Sequence, residues 1–486
     1  MNGEMNNQYK NILKATTLFG GVQGLNLVLN IVRTKLAALL LGPVGVGLNS
    51  IYNETRELMH TSTNVGMDKS GITEIAAAYG RRTEEGGAER LANAVMLVRS
   101  WVALFVVAGM VLTLCLAPLL SRATFNDSDH TWGYMLLSPA VGLSSLVCGE
   151  LAVLTGLHKL RKLAIVSVLH VVAGIVTTIP VYYLFGMDGV VPALVLLFVV
   201  QALIVVSFSY KEVRSHFCFS WDFLKGGSSM LKLGFTFVLA GVVVHATQLA
   251  IQSYLNSTGS LEVVGLFSSA HAFMMTYAGV VLASMSNDYF SRLASVFSNY
   301  AERLQTVRSQ IDVVVPLCLP LSIGMMVLMP VLVPLLLSGK FVAMIPMAQV
   351  IMASLIYRGM HQPLAYMSLS AGDSKMFFVI ETASSILLLP MVMVGYSQYG
   401  LIGIGWAIFL SNLLDLVFVT VCMKWRYDVL PSHRQLLQLG IYSLIVCAAY
   451  ISTLLSGVEY WICGIGILVV SSVMVAKQVR DLIRKG

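Results

Sequence analysis

Apolar runs of about 18 residues or more follow one another along almost the whole of this sequence. At 1.5 Å per residue, such a run spans a hydrocarbon core about 30 Å thick. Inside hydrocarbon every backbone N–H and C=O must be satisfied within the protein, which leaves only helices and closed barrels as spanning structures. Such runs are the signature of spanning helices rather than of a soluble core, so the expected fold is an all-α polytopic membrane protein. The charged fraction agrees: 11% of residues, against about 25% in soluble domains.

Fourteen spans can be drawn, roughly 14–41, 46–66, 91–119, 133–156, 163–185, 189–209, 229–255, 261–289, 305–336, 345–370, 376–396, 400–423, 436–455 and 460–477. Met1–Lys10 lacks the pattern of a cleaved signal, so the first span is expected to be retained. Most of the 31 lysines and arginines fall in alternate connections, among them Arg81, Arg82, Arg90, Lys159, Arg161, Lys211, Arg303 and Arg426. The other set of connections holds only Arg122 and Lys340. Basic residues concentrate on the cytoplasmic side, so both termini are expected there. The formal charge of +7 thereby reads as membrane orientation, and no nucleic acid is expected as partner. Seven cysteines lack paired spacing and read as small packing residues.

The chain also repeats itself. Val46-Gly-Leu-Asn-Ser50 returns as Val264-Gly-Leu-Phe-Ser268, and Ala88-Glu-Arg-Leu91 as Ala301-Glu-Arg-Leu304. This predicts an N-lobe over 1–220 and a C-lobe over 221–430, each of six helices in the same orientation, with two extra helices in 431–486. Paired halves of this kind enclose a central cavity in transporters that alternate between two faces.

The polar exceptions are concentrated in one hairpin. Gln23, Asn26, Asn30 and Arg33 share a face of the first span, and Asn49, Asn53, Arg56 and His60 share a face of the second, with 41–47 as the turn. Counted from that turn, both arginines lie roughly 13–15 Å deep. A charge at the bilayer centre costs about 2.5–3.5 kcal/mol even on a lenient scale, so it is not idle. It either meets an anionic cargo or joins a network with Glu54 or Glu57. In the second half the matching positions are Ile251 and Met274, and neutral faces with His245, Gln248, Gln252, Ser268 and His271 replace the charge. His271 reads as a structural histidine or a protonation site. Arg358, His361 and Gln362 form a further cluster on a span expected to kink near Pro363, and Arg99 is expected to snorkel.

The turn Leu41-Gly-Pro-Val-Gly-Val-Gly-Leu48, with Glu262-Val-Val-Gly-Leu266, Ser291-Arg-Leu293 and Leu337-Ser-Gly-Lys-Phe341, resembles the polysaccharide transporters of the multidrug/oligosaccharidyl-lipid/polysaccharide exporter superfamily. The O-antigen and enterobacterial-common-antigen translocases are the branch it is most similar to. The resemblance implies a flippase, not an enzyme, in the bacterial cytoplasmic membrane. Such a protein carries an undecaprenyl-diphosphate-linked oligosaccharide from the cytoplasmic to the periplasmic leaflet. It would work as a monomer beside other polysaccharide-assembly proteins, without a cofactor, and with sodium or protons as the open choices of coupling ion. Arg33 and Arg56 look like the cavity arginines of the related lipid II flippases. The expected substrate-binding set is Arg33, Arg56, Asn30, Asn53, His60, His271 and Arg358. Two other readings compete. A drug or organic-cation antiporter would want acids in its cavity. A membrane polymerase or ligase would need outer loops longer than the dozen residues around Ser121–Trp132.

Overall fold

In the computed structural model, which describes residues 2–215 and 217–485, all regular structure among the described residues is helical. The chain forms two compact units, Met1–Leu261 and Glu262–Gly486.

The first unit opens with α1 (Asn2–Asn64), which is two arms joined end to end at Gly42, whose φ of +64° is not helical. The local sequence dictates that break. Glycine reaches left-handed φ without steric cost, and Pro43 suits the first turn of the second arm, where its missing N–H would have no partner. The expected turn over 41–47 therefore contracts to one residue. Counted from Gly42, Arg33 lies about 14 Å and Arg56 about 21 Å along their arms. The two arginines are therefore not equidistant from the joint.

The unit continues with α2 (Met67–Gly80), α3 (Gly87–Phe125), α4 (Thr131–Gly156), α5 (Leu160–Phe185), α6 (Val190–Ser209), α7 (Trp221–Lys225) and α8 (Ser228–Thr258). Helix α4 packs between α3 and α6, and α5 packs against α6 and α1. Tyr52, Tyr134, Leu137, Val141 and Leu194 form the core between them. Helix α2 ends at Gly80 and buries Met67, Ser70, Gly71 and Ile75.

Helix α8 packs on α1, α2 and α3, so the unit extends past residue 220 to Leu261. Its polar side chains supply the reason. Gln252 Nε2 donates to Ser50 Oγ at 3.1 Å, and Asn256 Nδ2 donates to the Thr124 carbonyl at 3.0 Å. His245 Nδ1 lies 2.7 Å from Glu54 Oε1. Polar groups in an apolar medium are costly unless bonded, and these bonds hold α8 where it is.

Arg99 departs from expectation. It is buried, 2% exposed, and its guanidinium uses all five N–H donors. Nε and Nη2 reach the two Glu150 carboxylate oxygens at 2.9 Å each, and Nη2 also donates to Ser209 Oγ at 3.0 Å. Nη1 donates to the Val213 carbonyl and to Ser215 Oγ, both at 2.8 Å. A partner of matching fork geometry on α4 makes snorkelling unnecessary.

The second unit holds α9 (Leu261–Ala272), a π-helical turn at Phe273–Ala278, α10 (Gly279–Val296), α11 (Tyr300–Leu336), a 3-10 turn at Gly339–Met344, α12 (Ile345–Ala353) and α13 (Leu355–Ser370). Helix α14 (Ser374–Tyr427) is again two arms, parted at Gly400 with φ +60°; α15 (His433–Ser452) and α16 (Gly457–Lys485) follow. The helices α3, α4 and α5 start at Gly87, Thr131 and Leu160, and α11, α12 and α14 start at Tyr300, Ile345 and Ser374, displaced by 213 or 214 residues.

Among the described residues, ten helices are long and apolar enough to cross a membrane, or eleven when the bent pair Gly339–Ala353 and Leu355–Ser370 is taken as one span. Two of the ten, α1 and α14, each comprise two helices. The expected eighth span is interrupted by the π-helical turn. The expected kink at Pro363 lies instead at Ser354, where the chain bends by 46°. There the Ser354 hydroxyl donates to the Ile351 carbonyl at 2.7 Å and competes with the backbone ladder.

Candidate polar site in the membrane helices

A guanidinium stays charged at any accessible pH, so its surroundings must answer for the charge. Arg56 and Arg33 do so in opposite ways. Arg56 is 5% exposed. It is ion-paired with Glu57, donates through Nε and Nη2 to Asn53 Oδ1 at 3.3 Å each, and lies 4.5 Å over the Phe198 ring. His60 Nδ1 stands 3.9 Å from Glu57 Oε2, and its buried Nε2 has no hydrogen-bond partner among the described residues. Glu54, one turn earlier, is held by His245. The second arm is thus a compensated cluster in which every carboxylate has a cationic or ionisable neighbour.

Arg33 is half-buried and, among the described residues, makes no ion pair or hydrogen bond. Its guanidinium lies flat against Gly174 of α5. A Cβ built there would come within 3.1 Å of Cζ, Nε and Nη1, closer than an ordinary contact, so a larger side chain would press the guanidinium aside. Asn26 Nδ2 donates to Ser167 Oγ at 2.6 Å, with the same separation of 141 residues that relates Arg33 to Gly174. The first arm and α5 therefore run parallel in one register. Tyr182, the next side chain of α5 to interact with Arg33, donates to Asn49 Oδ1 at 3.3 Å. Asn30 is half-buried between Asn26 and Arg33, with no hydrogen bond among the described residues. What results is a cation unpaired among the described residues beside the free amide of Asn30, the chemistry of an anion site with a neutral hydrogen-bonding neighbour.

In the second unit the polar cluster gathers where two helices are broken. Met274, in the π-helical turn, has its Sδ 3.7 Å from the hydroxyl of Ser354 at the bend, and Asn412 Nδ2 donates to that hydroxyl at 3.1 Å. Interrupted membrane helices persist only where neighbours satisfy the freed groups, and such interruptions gather at functional sites. Arg358 lies one turn past the bend, within electrostatic reach of Glu381, Asp415 and His271. Asp415 accepts from Ser384 Oγ, and its Oδ2 lies 3.2 Å from His361 Nε2, out of line for a hydrogen bond. His271 stacks on Phe267 at 5.8 Å.

The sequence profile described as polysaccharide biosynthesis protein matches residues 92–346. The chain belongs to that family. No curated protein matches the sequence. Among solved structures, the fold is similar to the lipid II flippase MurJ in an inward closed conformation, with a TM-score of 0.72 and 15% identity over 96% of this chain and 100% of that one. It is similar also to an inward-facing multidrug resistance MATE transporter of the MOP superfamily, with a TM-score of 0.67 and 16% identity over 86% and 96%. A MOP superfamily transporter from Pyrococcus furiosus matches with a TM-score of 0.61 and 14% identity over 88% and 96%. At these identities the likeness is one of fold, and it establishes a MurJ- and MATE-like, multi-pass helical membrane protein.

For this family member the sequence-predicted residues separate into groups. Asn53, Arg56 and His60 come together around Glu57, Asn30 and Arg33 line the contact with α5, and His271 and Arg358 meet in the second unit. Nothing in the residue spacing marks Gly174, Tyr182 or Phe198. Only the parallel register of two helices 141 residues apart brings out the first, and an α6 contact brings out the last.

Proposed function

We propose that this protein is a flippase that moves an undecaprenyl-diphosphate-linked oligosaccharide, an O-antigen, common-antigen or capsule repeat unit. Transport runs from the cytoplasmic to the periplasmic leaflet of a bacterial cytoplasmic membrane, by alternating access, with both chain termini in the cytoplasm. The observation that carries this reading is Arg33, a guanidinium on an apolar helix with no carboxylate partner among the described residues and with glycine opposite it. The isoprenoid tail of such a cargo can stay in lipid, but its diphosphate cannot cross hydrocarbon without a charged partner. Arg33 supplies that partner and Asn30 borders it, while Asn53, Arg56 and His60 are gathered around Glu57 on the second arm. Within the second unit, Arg358 and His271 are the groups proposed to meet the sugar. Membership of a polysaccharide biosynthesis family and a fold similar to a lipid II flippase support the same choice.

A cation antiporter needs carboxylates free to meet its cargo. Here Glu54, Glu57, Glu150 and Asp415 already face His245, Arg56, Arg99 and His361, and Glu381 is engaged as well. That favours an anionic cargo. The test is to replace Arg33 by Ala in cells that depend on this protein and to follow lipid-linked glycan across the membrane. With Arg33→Ala inserted at the normal level, glycan should accumulate on the cytoplasmic face. Undiminished glycan display at the outer face would overturn the assignment.

A further inference from the structure

Away from the arginine hairpin, α15 and α16 flank a groove of about 460 Å³, a size ordinary for small-ligand sites. Its floor is polar and bonded across the two helices. Gln438 Nε2 donates to the Tyr442 hydroxyl at 2.6 Å, and that hydroxyl donates to Gln478 Oε1 at 2.7 Å. Its rim carries three exposed charges: Arg434 in the first turn of α15, and Lys477 and Asp481 one turn apart on α16. Lys477 and Asp481 stand at the i, i+4 spacing at which helical ion pairs form readily. Yet among the described residues no ion pair joins any of the three to a neighbour. Leu437, Ile441 and Met474 make the adjoining wall, and Leu437 and Ile441 are exposed on a membrane helix.

Two cations and one anion, held apart on one rim beside an apolar wall, match a zwitterion with attached hydrocarbon. We propose that this groove binds the headgroup of an ethanolamine phospholipid. The phosphodiester lies between Arg434 and Lys477, the ammonium donates to Asp481, and the acyl chains run along Leu437 and Ile441. The charge pattern selects among lipids. A glycerol headgroup offers the phosphate but leaves Asp481 without a cation. A choline headgroup carries its charge behind methyl groups and has no N–H to donate. Basic pockets between membrane helices are common lipid-headgroup sites, and it is the carboxylate that makes this one specific.

The experiment uses the full chain purified in detergent and titrated with dioleoyl phosphatidylethanolamine, phosphatidylglycerol and phosphatidylcholine, with bound lipid counted by native mass spectrometry. Phosphatidylethanolamine should bind about tenfold more tightly than the other two. Asp481→Asn should abolish that preference while phosphatidylglycerol binds at least as well as before. Arg434→Gln combined with Lys477→Gln should weaken both phosphatidylethanolamine and phosphatidylglycerol. Equal binding of the three lipids by the unaltered protein overturns the proposal, as does a preference for phosphatidylglycerol. A preference for phosphatidylethanolamine that survives Asp481→Asn overturns it too. The unaltered protein alone decides the selectivity, and all three side chains are exposed, so the outcome does not depend on a variant that fails to fold.

Discussion

Replacing Glu150 by Gln keeps the shape of the Arg99 pocket and removes only the counter-charge. The structure sets the size of the effect. Both side chains of the pair are 2% exposed, and the guanidinium has no unused donor with which to recruit water. Breaking a buried pair from one side costs about 3–5 kcal/mol, because the remaining ion has lost its partner but not its burial. For a cooperative unit of this size that is a fall of roughly 10 °C in melting temperature. The reverse variant, Arg99→Met, should cost less. An orphaned carboxylate can take up a proton and become neutral, whereas an orphaned guanidinium cannot. The double variant Arg99→Met/Glu150→Leu should recover most of the loss, since apolar residues of similar volume often replace a buried pair without penalty. Melting can be followed by the fraction of protein that remains monodisperse in detergent after heating. The reasoning fails if Glu150→Gln melts within about 1 °C of the unaltered protein, or if Arg99→Met is the worse of the two.

Three further outcomes are expected. Gly174→Leu should reproduce the transport defect of Arg33→Ala at a matched level of inserted protein, because the side chain would displace a guanidinium that sits 3.1 Å from the position of a Cβ; normal transport in that variant would separate Gly174 from the site. Arg56→Met should lower thermal stability by about 1–3 kcal/mol through loss of the Glu57 and Asn53 contacts, which detergent melting curves would register, and an unchanged curve would count against those contacts. Hydrogen bonds from Lys159 and Lys162 hold the Glu212 carboxyl below its usual range. Its contribution to stability is therefore complete above the ordinary glutamate value and fades as pH falls through the lower folded value. Melting curves of Glu212→Gln should lie below those of the unaltered protein near neutrality and converge with them in acid.

The helices were legible in the sequence because hydrocarbon leaves a chain few choices, and the duplication because its glycine and basic signatures recur at nearly constant offset. The polar faces of the hairpin were legible too, from helical spacing alone. What spacing could not supply was the identity of the opposing surface. Arg33 and Arg56 look equivalent on a helical wheel, yet one meets a glycine and the other a carboxylate, an amide and an aromatic ring. Arg99 reads as a snorkelling residue until α4 brings Glu150 beside it from 51 positions away. The seven-residue turn at 41–47 contains three glycines, and sequence alone does not say which of them takes the positive φ. Placing the joint at Gly42 puts it further along the arm from Arg56 than the end of that turn.

A one-residue joint at Gly42 leaves no slack for length variation. One residue inserted between Gly42 and Arg56 would turn all that follows by about 100°. Arg56 would then swing away from Phe198, and an insertion before Ser50 would also turn that residue away from Gln252 of α8. The connection over 81–86 carries no such register and is exposed, so an added residue there disturbs little. Natural insertions and deletions should therefore accumulate in that connection and be absent from the hairpin. The same asymmetry makes residues 81–86 a place for a reporter peptide, and the hairpin a place where a single inserted codon abolishes the protein.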